Sequence, residues 1–241
     1  MVCGDVGGRC AADVRGLNAT VTSVSQPPRS RPTRSQLAEL ARRDPVMARA
    51  LKHYGPFPGF PQPENRRVPH FESLARSIVF QQLAGAAARA IWQRVIALTT
   101  GSRLAPPARL LALPEDKLRG AGLSRNKVAS LRDLAQRAHD GSLGLRRAAL
   151  LEDDEIIERL VTVRGIGPWT AQMFLMFKLG RLDVMPSTDL GVQEGARELY
   201  RLEQRPTPGE LTELACAWAP VRSVAAWTLW RVKDGDDEGE W

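Results

Sequence analysis

The feature that most constrains this chain is a glycine-containing break between two helical segments, at residues 164–168. Apolar side chains recur at helical spacing before the break, from Ile156 to Val163. The break reads Arg-Gly-Ile-Gly-Pro, and its two glycines allow a tight turn with positive φ. Pro168 occupies a favoured position for the first turn of a new helix, and residues 169–179 are apolar on nearly all sides. The sequence therefore predicts two helices joined by a short hairpin, with the second helix buried.

The same hairpin predicts an anion site. Gly165 and Gly167 have no side chains that would cover their backbone N–H groups. They precede the start of a helix, where the N-terminal amides and the helix dipole favour a negative charge. A phosphate group fits such a site without a lysine side chain.

The charge of the chain is compatible with a polyanionic partner. The 241 residues carry a formal charge of +7, although residues 233–241 are mostly acidic. A basic balance is typical of nucleic-acid-binding proteins, but it also suits an ordinary soluble surface, so charge alone does not decide. No apolar run reaches membrane-spanning length, and no signal peptide is evident.

Periodicity and breaker residues predict an all-α protein, since strand-like alternation is absent. Residues 1–34 are rich in Gly, Arg, Ser and Pro, and we expect a disordered extension there. Residues 54–69 contain five prolines and are predicted to form a long loop. Ser35 and Ser124 are predicted helix caps. The predicted helices cover residues 35–53, one or two helices within 71–99, and then 114–120, 125–139, 152–163, 169–179, 189–202, 208–217 and 221–232.

The hairpin and its surroundings resemble a family of DNA repair enzymes. GIGPWTA followed by DVMPSTDLGVQ is similar to the helix-hairpin-helix DNA glycosylase superfamily, most of all to its 3-methyladenine DNA glycosylase II branch. A GxG hairpin alone is a weak signal, whereas a hairpin with further family segments in the right order is a strong one. Those segments are IVFQQLAGAAARA (78–90), GLSRNKVASLRDLA (122–135) and WAPVRSVAAWTLW (218–230).

This resemblance implies a specific architecture. It implies two small helical lobes with a cleft between them and the hairpin at the rim of the cleft. The glycosylase domain would occupy residues 35–232, followed by an acidic tail at 233–241. Larger relatives often carry an N-terminal β-rich domain, for which too little sequence precedes Phe71, so the chain resembles a compact form.

Asp189 aligns with the catalytic aspartate of the family. When an N-glycosidic bond breaks, C1′ acquires oxocarbenium character, and a nearby carboxylate stabilises that charge and can orient or deprotonate a water. From local sequence alone, an aspartate after Pro-Ser-Thr also suits a helix N-cap, and both roles are compatible. Asp183 is a weaker candidate, for which we expect a loop or capping role.

Trp169 stands where strand-cleaving members of the superfamily have a Schiff-base lysine. The hairpin motif has no other lysine, and Lys178 lies about two and a half helical turns further on. The resemblance therefore implies a monofunctional glycosylase that leaves an abasic site. The Trp169 indole is also a candidate stacking surface, which would favour a cationic purine. Core packing is the alternative interpretation.

Alignment with the family assigns further site residues. Trp230 and Met173 align with the base pocket, although Trp230 equally fits the apolar stripe of the last helix, and close relatives often have tyrosine in place of Met173. Gln82 aligns with the wedge that fills the gap left by an extruded base, with Gln81 and Leu83 beside it. The family often has an aliphatic wedge, and an ordinary helix-to-loop junction is the alternative.

The resemblance also implies how the hairpin binds DNA and ions. Phosphate contacts are expected from Gly165, Ile166, Gly167 and Thr170. Family hairpins can hold an alkali-metal ion on main-chain carbonyls, which here would be those of Val161, Val163 and Gly165.

No other cofactor is expected. Cys3, Cys10 and Cys216 lack the spacing of a zinc site or a disulfide framework. They also lack the pattern of the four-cysteine iron–sulfur cluster that some relatives carry. The three histidines are predicted to be surface or loop residues.

Together these features predict a monofunctional DNA glycosylase that excises alkylated purines, such as 3-methyladenine and 7-methylguanine, from duplex DNA in base excision repair. The expected partner is double-stranded DNA with a damaged base, and we expect a monomer without membrane association. The expected location is the cytoplasm and nucleoid in a bacterium or the nucleus in a eukaryote. Two alternatives stay open. One is a glycosylase for uracil, hypoxanthine or ethenoadenine on the same scaffold. The other is a non-catalytic DNA-damage-binding module, which would have no need of a carboxylate in its cleft.

Overall fold

The structure is a computed structural model that describes residues 31–99 and 101–235. Its described residues form thirteen α-helices and two 3-10 helices without a strand, so the all-α prediction is confirmed. Most of the predicted N-terminal extension and of the acidic tail lies outside the described residues. In chain order the α-helices are α1 (Arg34–Arg43), α2 (Pro45–His53), α3 (Pro63–Arg66), α4 (His70–Phe80), α5 (Gly85–Ala97), α6 (Pro107–Leu111), α7 (Glu115–Gly120), α8 (Arg125–His139), α9 (Asp153–Val161), α10 (Pro168–Phe177), α11 (Leu190–Tyr200), α12 (Pro208–Leu214) and α13 (Arg222–Asp234). The 3-10 helices are Leu145–Leu150 and Ala215–Trp218.

The first predicted helix is in fact two helices. Pro45 has no N–H group with which to continue α1, and the carboxylate of Asp44 caps α2 by accepting two backbone N–H bonds. The predicted cap Ser35 is wrong, because Thr33 caps α1 in a capping box with Gln36. Helix α1 therefore begins inside the segment predicted as a disordered extension.

Most other boundaries agree with the sequence. The segment predicted as one or two helices divides at residues 81–84 into α4 and α5. Ser124 caps α8 as predicted, with its hydroxyl accepting the N–H of Lys127. The short helix α3 lies in the predicted loop, and α6 was not predicted at all. Both are about one turn long and too short for a periodic apolar pattern.

The larger helix–helix contacts fall within two groups. One group contains α1, α2, α11, α12 and α13, and the other contains the helices from α4 to α10. A cavity of about 870 Å³ is lined by residues of both groups, among them Arg76 and Phe80 of α4 and Trp227 of α13. The described helices thus form two lobes with a cleft between them, as the resemblance implied.

The first group has a polar centre. Trp218 is fully buried, and its indole N–H donates to Asp44 at 2.8 Å. The hydroxyl of Tyr200 donates to the same carboxylate, and burial raises the pKa of Tyr200. Asp44 thereby joins the N-terminal pair of helices, α1 and α2, to α11 and to the second 3-10 helix.

Among the described residues, no helix is both long and apolar enough to span a membrane.

Candidate active site

Asp189 lies at the N-terminus of α11, and both of its carboxylate oxygens accept hydrogen bonds. Its Oδ1 accepts the backbone N–H of Val192 at 2.8 Å, which confirms the predicted N-cap, and Nε1–H of Trp230 at 2.9 Å. Its Oδ2 accepts Nε1–H of Trp169 at 2.7 Å. Three charge-assisted bonds hold the carboxylate in one orientation. The capping role and a role towards substrate are therefore compatible in this side chain.

The two indoles that bind Asp189 differ in exposure. Trp169, in the first turn of α10, is 43% exposed, whereas Trp230 on α13 is only 3% exposed. Trp230 stacks on Phe177, with ring centroids 5.8 Å apart and an interplanar angle of 25°. Trp169 therefore keeps accessible surface beside the carboxylate, while Trp230 acts from within the core.

Gly191 allows the Trp230 ring to reach the carboxylate. A Cβ atom at this position would lie 3.1 Å from Cδ1 of Trp230 and 3.2 Å from Oδ1 of Asp189. Either neighbour would have to shift to accommodate a side chain. Four residues further along α11, a Cβ at Gly195 would lie 2.0 Å from the carbonyl oxygen of Leu229, so α11 and α13 cross at close range. Sequence reasoning missed both glycines, because their role depends on the neighbouring helix.

Phe177 connects the cavity between the two lobes to the aromatic residues around Asp189. Phe177, on which Trp230 stacks, lines the cavity, whereas Asp189 and Trp169 are not among its lining residues. Met173 lies on the same face of α10 as Trp169 and Phe177, one turn from each, and is half-buried. The cavity residues that sequence reasoning missed come from α4, α5, α10, α13 and the proline-rich loop. They include Tyr54, Phe60, Arg76, Phe80, Arg89 and Phe177.

The hairpin between α9 and α10 has the predicted form. Gly165 has φ +79°, and the N–H of Ile166 closes the turn on the carbonyl of Val163 at 3.0 Å. Gly167 is the N-cap of α10, makes no side-chain cap bond and is exposed. Ile166 is buried, so its side chain is not available to DNA. The same holds for Thr170, the other buried residue among the predicted phosphate contacts.

Neighbouring helices fix the hairpin. The N–H of Arg164 donates to Oδ2 of Asp133 on α8 at 2.7 Å. The carbonyl of Gly165 accepts Nε2–H of Gln81 at 2.9 Å. Of the three carbonyls predicted to hold an alkali ion, those of Val163 and Gly165 each accept one hydrogen bond. A carbonyl oxygen has two lone pairs, so these bonds are compatible with a cation, and the alkali-ion site stays a prediction.

The predicted wedge lies in the loop between α4 and α5. Gln82 is exposed and has φ +56°, a left-handed conformation that is uncommon for a residue other than glycine. Leu83 beside it is 38% exposed. The loop therefore presents one polar and one aliphatic side chain, and the identity of the wedge stays a prediction.

Other residues weighed from the sequence have local partners. Asp183 accepts two hydrogen bonds from the Arg222 guanidinium, at 2.7 and 2.8 Å, and one from the backbone N–H of Arg222 at 3.2 Å. Asp183 thus lies in a loop, one of the two predicted roles, and pairs with the first residue of α13. Lys178 is buried and donates to the carbonyl of Asn65 at 2.7 Å, and burial lowers its pKa. It joins α10 to the proline-rich loop.

The prediction for His70 was wrong. This residue begins α4, where its Nδ1 lies 2.8 Å from the carbonyl of Leu145 and its ring packs edge-on against Phe174. Burial lowers its pKa. It lies in the first turn of α4 and is half-buried, because its ring packs against α10 and its Nδ1 contacts the first 3-10 helix.

Comparison of the sequence with known protein families identifies the family of this chain. The profile of HhH-GPD superfamily base excision DNA repair proteins matches residues 75–220, more than half of the chain. The chain belongs to the HhH-GPD superfamily. The match spans the wedge loop, the hairpin and Asp189, whereas Trp230 lies beyond its C-terminal limit.

Relatives and solved structures agree with this membership. The chain is 36% identical over 162 residues to DNA-3-methyladenine glycosylase 1 of Schizosaccharomyces pombe, covering 67% of this chain and 71% of the relative. A structure of the S. pombe 3-methyladenine DNA glycosylase in complex with abasic DNA superposes with a TM-score of 0.71 at 32% identity, covering 86% of this chain and 100% of that one. A DNA-3-methyladenine glycosidase from Bacillus halodurans gives 0.75 at 34% identity, with coverages of 82% and 88%. Endonuclease III complexes, at 17% identity, share the fold alone.

The two hairpin glycines of this HhH-GPD protein are expected to differ when replaced by alanine. Gly167 has an ordinary φ and open space around its Cβ position, so Gly167→Ala should fold normally and obstruct only the approach of a phosphate. We expect weaker binding, by a similar factor, to intact and damaged duplexes, because phosphate contacts carry no sequence information. Gly165→Ala should also lower the melting temperature, because a Cβ there would lie 2.7 Å from Oγ of Ser130 at a positive φ.

Duplex titrations at two salt concentrations, together with thermal unfolding, test this prediction. Wild-type affinity should fall steeply as salt rises, because phosphate binding releases counterions. Unchanged affinity in Gly167→Ala would show that the hairpin does not bind phosphate.

Proposed function

We propose that this protein is a monofunctional DNA glycosylase that hydrolyses the N-glycosidic bond of alkylated purines in duplex DNA. The observation that carries the proposal is the carboxylate of Asp189, which two indole N–H groups orient beside the exposed ring of Trp169. Membership of a base excision repair superfamily supports the reaction type. The names of its relatives, 3-methyladenine glycosylases, support the substrate class.

The chemistry follows from the charge of the substrate. A purine alkylated at N3 or N7 is cationic while it is bound to the sugar and leaves as a neutral molecule. As the bond from C1′ to the base nitrogen breaks, the positive charge moves onto the sugar, where the Asp189 carboxylate stabilises it. A water then adds its oxygen to C1′ and releases one proton. The products are the neutral alkylpurine and an abasic site, and no general acid is needed.

Binding precedes this step. The hairpin amides and the N-terminus of α10 bind a phosphate, and the nucleotide is extruded so that C1′ reaches Asp189. The exposed face of Trp169 stacks on the extruded base. A cationic base gains about 0.5–2 kcal/mol more from such a face than a neutral one.

A preference for cationic lesions is the direct test. We expect efficient excision of 3-methyladenine and 7-methylguanine, and excision at least about 10²-fold slower for hypoxanthine, uracil and 1,N6-ethenoadenine. The reason is that a general acid, typically worth 10²–10⁴-fold for neutral leaving groups, is not part of the mechanism. Single-turnover rates on duplexes with one defined lesion measure the ratio. A preference for the neutral lesions would replace this proposal with the other glycosylase specificity, and binding without excision of any lesion would favour the damage-binding module.

Strand cleavage is not expected. Trp169 occupies the lysine position, and the amine of Lys178 is buried against a main-chain carbonyl, which supports the absence of a Schiff-base nucleophile. Product strands should therefore stay intact until alkali or heat breaks the abasic site, and borohydride should trap no covalent complex. A bifunctional glycosylase on its own substrate serves as the positive control. A trapped adduct would contradict the monofunctional assignment.

Three further points belong to the same proposal. The carbonyls of Val161, Val163 and Gly165 would hold an alkali ion, which would add positive charge beside the phosphate without taking part in bond cleavage. The protein would act as a monomer on double-stranded DNA with a damaged base. It would work where chromosomal DNA lies, in the nucleoid of a bacterium or the nucleus of a eukaryote.

A further inference from the structure

The loop at residues 81–84 joins α4 to α5 and carries the predicted wedge residue Gln82. Its backbone adopts a left-handed conformation at Gln82, which persists only where the surrounding structure enforces it. Residues 82–84 are exposed, so apolar packing contributes little to holding the loop in place. Polar contacts from elsewhere in the fold must therefore define its conformation.

Lys127 supplies the first of these contacts. Its Nζ donates to the carbonyl of Val79 at 2.6 Å and to the carbonyl of Gln81 at 2.7 Å. These carbonyls lie at the C-terminus of α4, where carbonyl groups lack intrahelical partners and attract a cation. A lysine in the first turn of α8 opposes the dipole of its own helix. The position of Lys127 is therefore explained by α4 and its loop rather than by α8.

Gln81 supplies the second contact. Its side-chain Nε2–H donates to the carbonyl of Gly165 at 2.9 Å, while its own carbonyl accepts from Lys127. This residue thus links the wedge loop to the turn of the hairpin, which is far away in sequence. Gly165 is the hairpin glycine with positive φ, so the hydrogen bond from Gln81 is made to the residue at which the chain turns.

We propose that Lys127 and Gln81 are positioning residues that hold the wedge loop in register with the phosphate-binding hairpin. The inference rests on the proposed glycosylase function and deepens it. Lys127 fixes the end of α4, and Gln81 sets the separation between the wedge and the bound phosphate. Neither side chain needs to touch the reacting atoms. Their contribution is to base extrusion, so they matter only when the damaged base is still stacked and paired.

This dependence on pairing provides the test. Lys127→Met and Gln81→Leu remove the donors with little change in size. Single-turnover excision of one lesion is compared in two duplexes of the same sequence. In the first the lesion is paired, and in the second it lies opposite a nucleotide that lacks its base, so less free energy is needed to extrude it. We expect a loss of at least about 10-fold on the paired duplex and less than about 3-fold on the second duplex. Lys127→Arg should restore part of the activity, since it keeps a cationic donor.

Matched controls use exposed residues outside the site. Lys117→Met on α7 and Gln93→Leu on α5 make the same chemical changes and should leave both rates unchanged. Equal losses on the two substrates, or no loss on either, would overturn the proposal. If Lys127→Met fails to fold, the ratio measured for Gln81→Leu decides. If the wild-type protein excises neither lesion, the proposed function has failed rather than the positioning of the wedge.

Discussion

Replacing Asp189 with asparagine is expected to lower single-turnover excision of 3-methyladenine by at least about 10²–10³-fold and to leave duplex binding intact. The substitution removes the charge that stabilises the developing oxocarbenium ion. Loss of one preorganised electrostatic interaction lowers the rate by a similar factor in other active sites. The amide oxygen can still accept the N–H bonds of Val192 and Trp230, so the cap of α11 survives, whereas the amide nitrogen cannot accept the bond from Trp169. The loss should appear in the rate of the bound complex rather than in affinity.

Asp183→Asn is the matched control, because it makes the same change in a carboxylate bound by Arg222. We expect its excision rate to stay within a few-fold of the wild-type rate. Loss of the ion pair should lower the stability, which thermal unfolding measures. An Asp189→Asn protein that excises at nearly the wild-type rate would show that another group stabilises the transition state. Loss of binding to undamaged duplex would instead point to a folding defect.

The features that could be predicted from the sequence are those encoded over a few adjacent residues. The hairpin follows from Gly165, Gly167 and Pro168, whose backbone preferences act locally. Asp189 as an N-cap follows from its place before an amphipathic helix. The division of the first helix at Pro45 was equally local and was missed because the apolar pattern continues across it. The catalytic assignment of Asp189 needed the resemblance, since a cap alone would explain an aspartate there.

Contacts across long sequence separations could not be predicted. Trp169 and Trp230 were assigned to the base pocket, but nothing in either segment indicates that both indoles donate to the same carboxylate. That arrangement requires α10, α11 and α13 to meet at one point, and Gly191 and Gly195 make the approach of α13 possible. The same limit explains why Lys127 went unnoticed, because its acceptors lie on α4.

Phenylalanine substitutions can separate the hydrogen bonds of the two indoles from their aromatic surfaces. Trp230→Phe keeps a ring that can stack on Phe177 but loses the N–H that binds Oδ1 of Asp189. A hydrogen bond to a charged group is worth about 1.5–3 kcal/mol, so we expect excision of the bound lesion to slow by about 10- to 100-fold. Affinity for the damaged duplex should change little, because Trp230 is buried.

Trp169→Phe should affect binding as well, because this ring is exposed and loses both its N–H and part of the face offered to the base. The preference for cationic over neutral lesions should fall with it, since the indole is the stronger cation–π partner. Trp227→Phe is the control, a similar change on α13 in a tryptophan that lines the cleft. Single-turnover rates and lesion-duplex affinities of all three variants are the measurements. If Trp230→Phe excises as fast as the wild type, Val192 and Trp169 suffice to orient Asp189, and the indole of Trp230 serves packing alone.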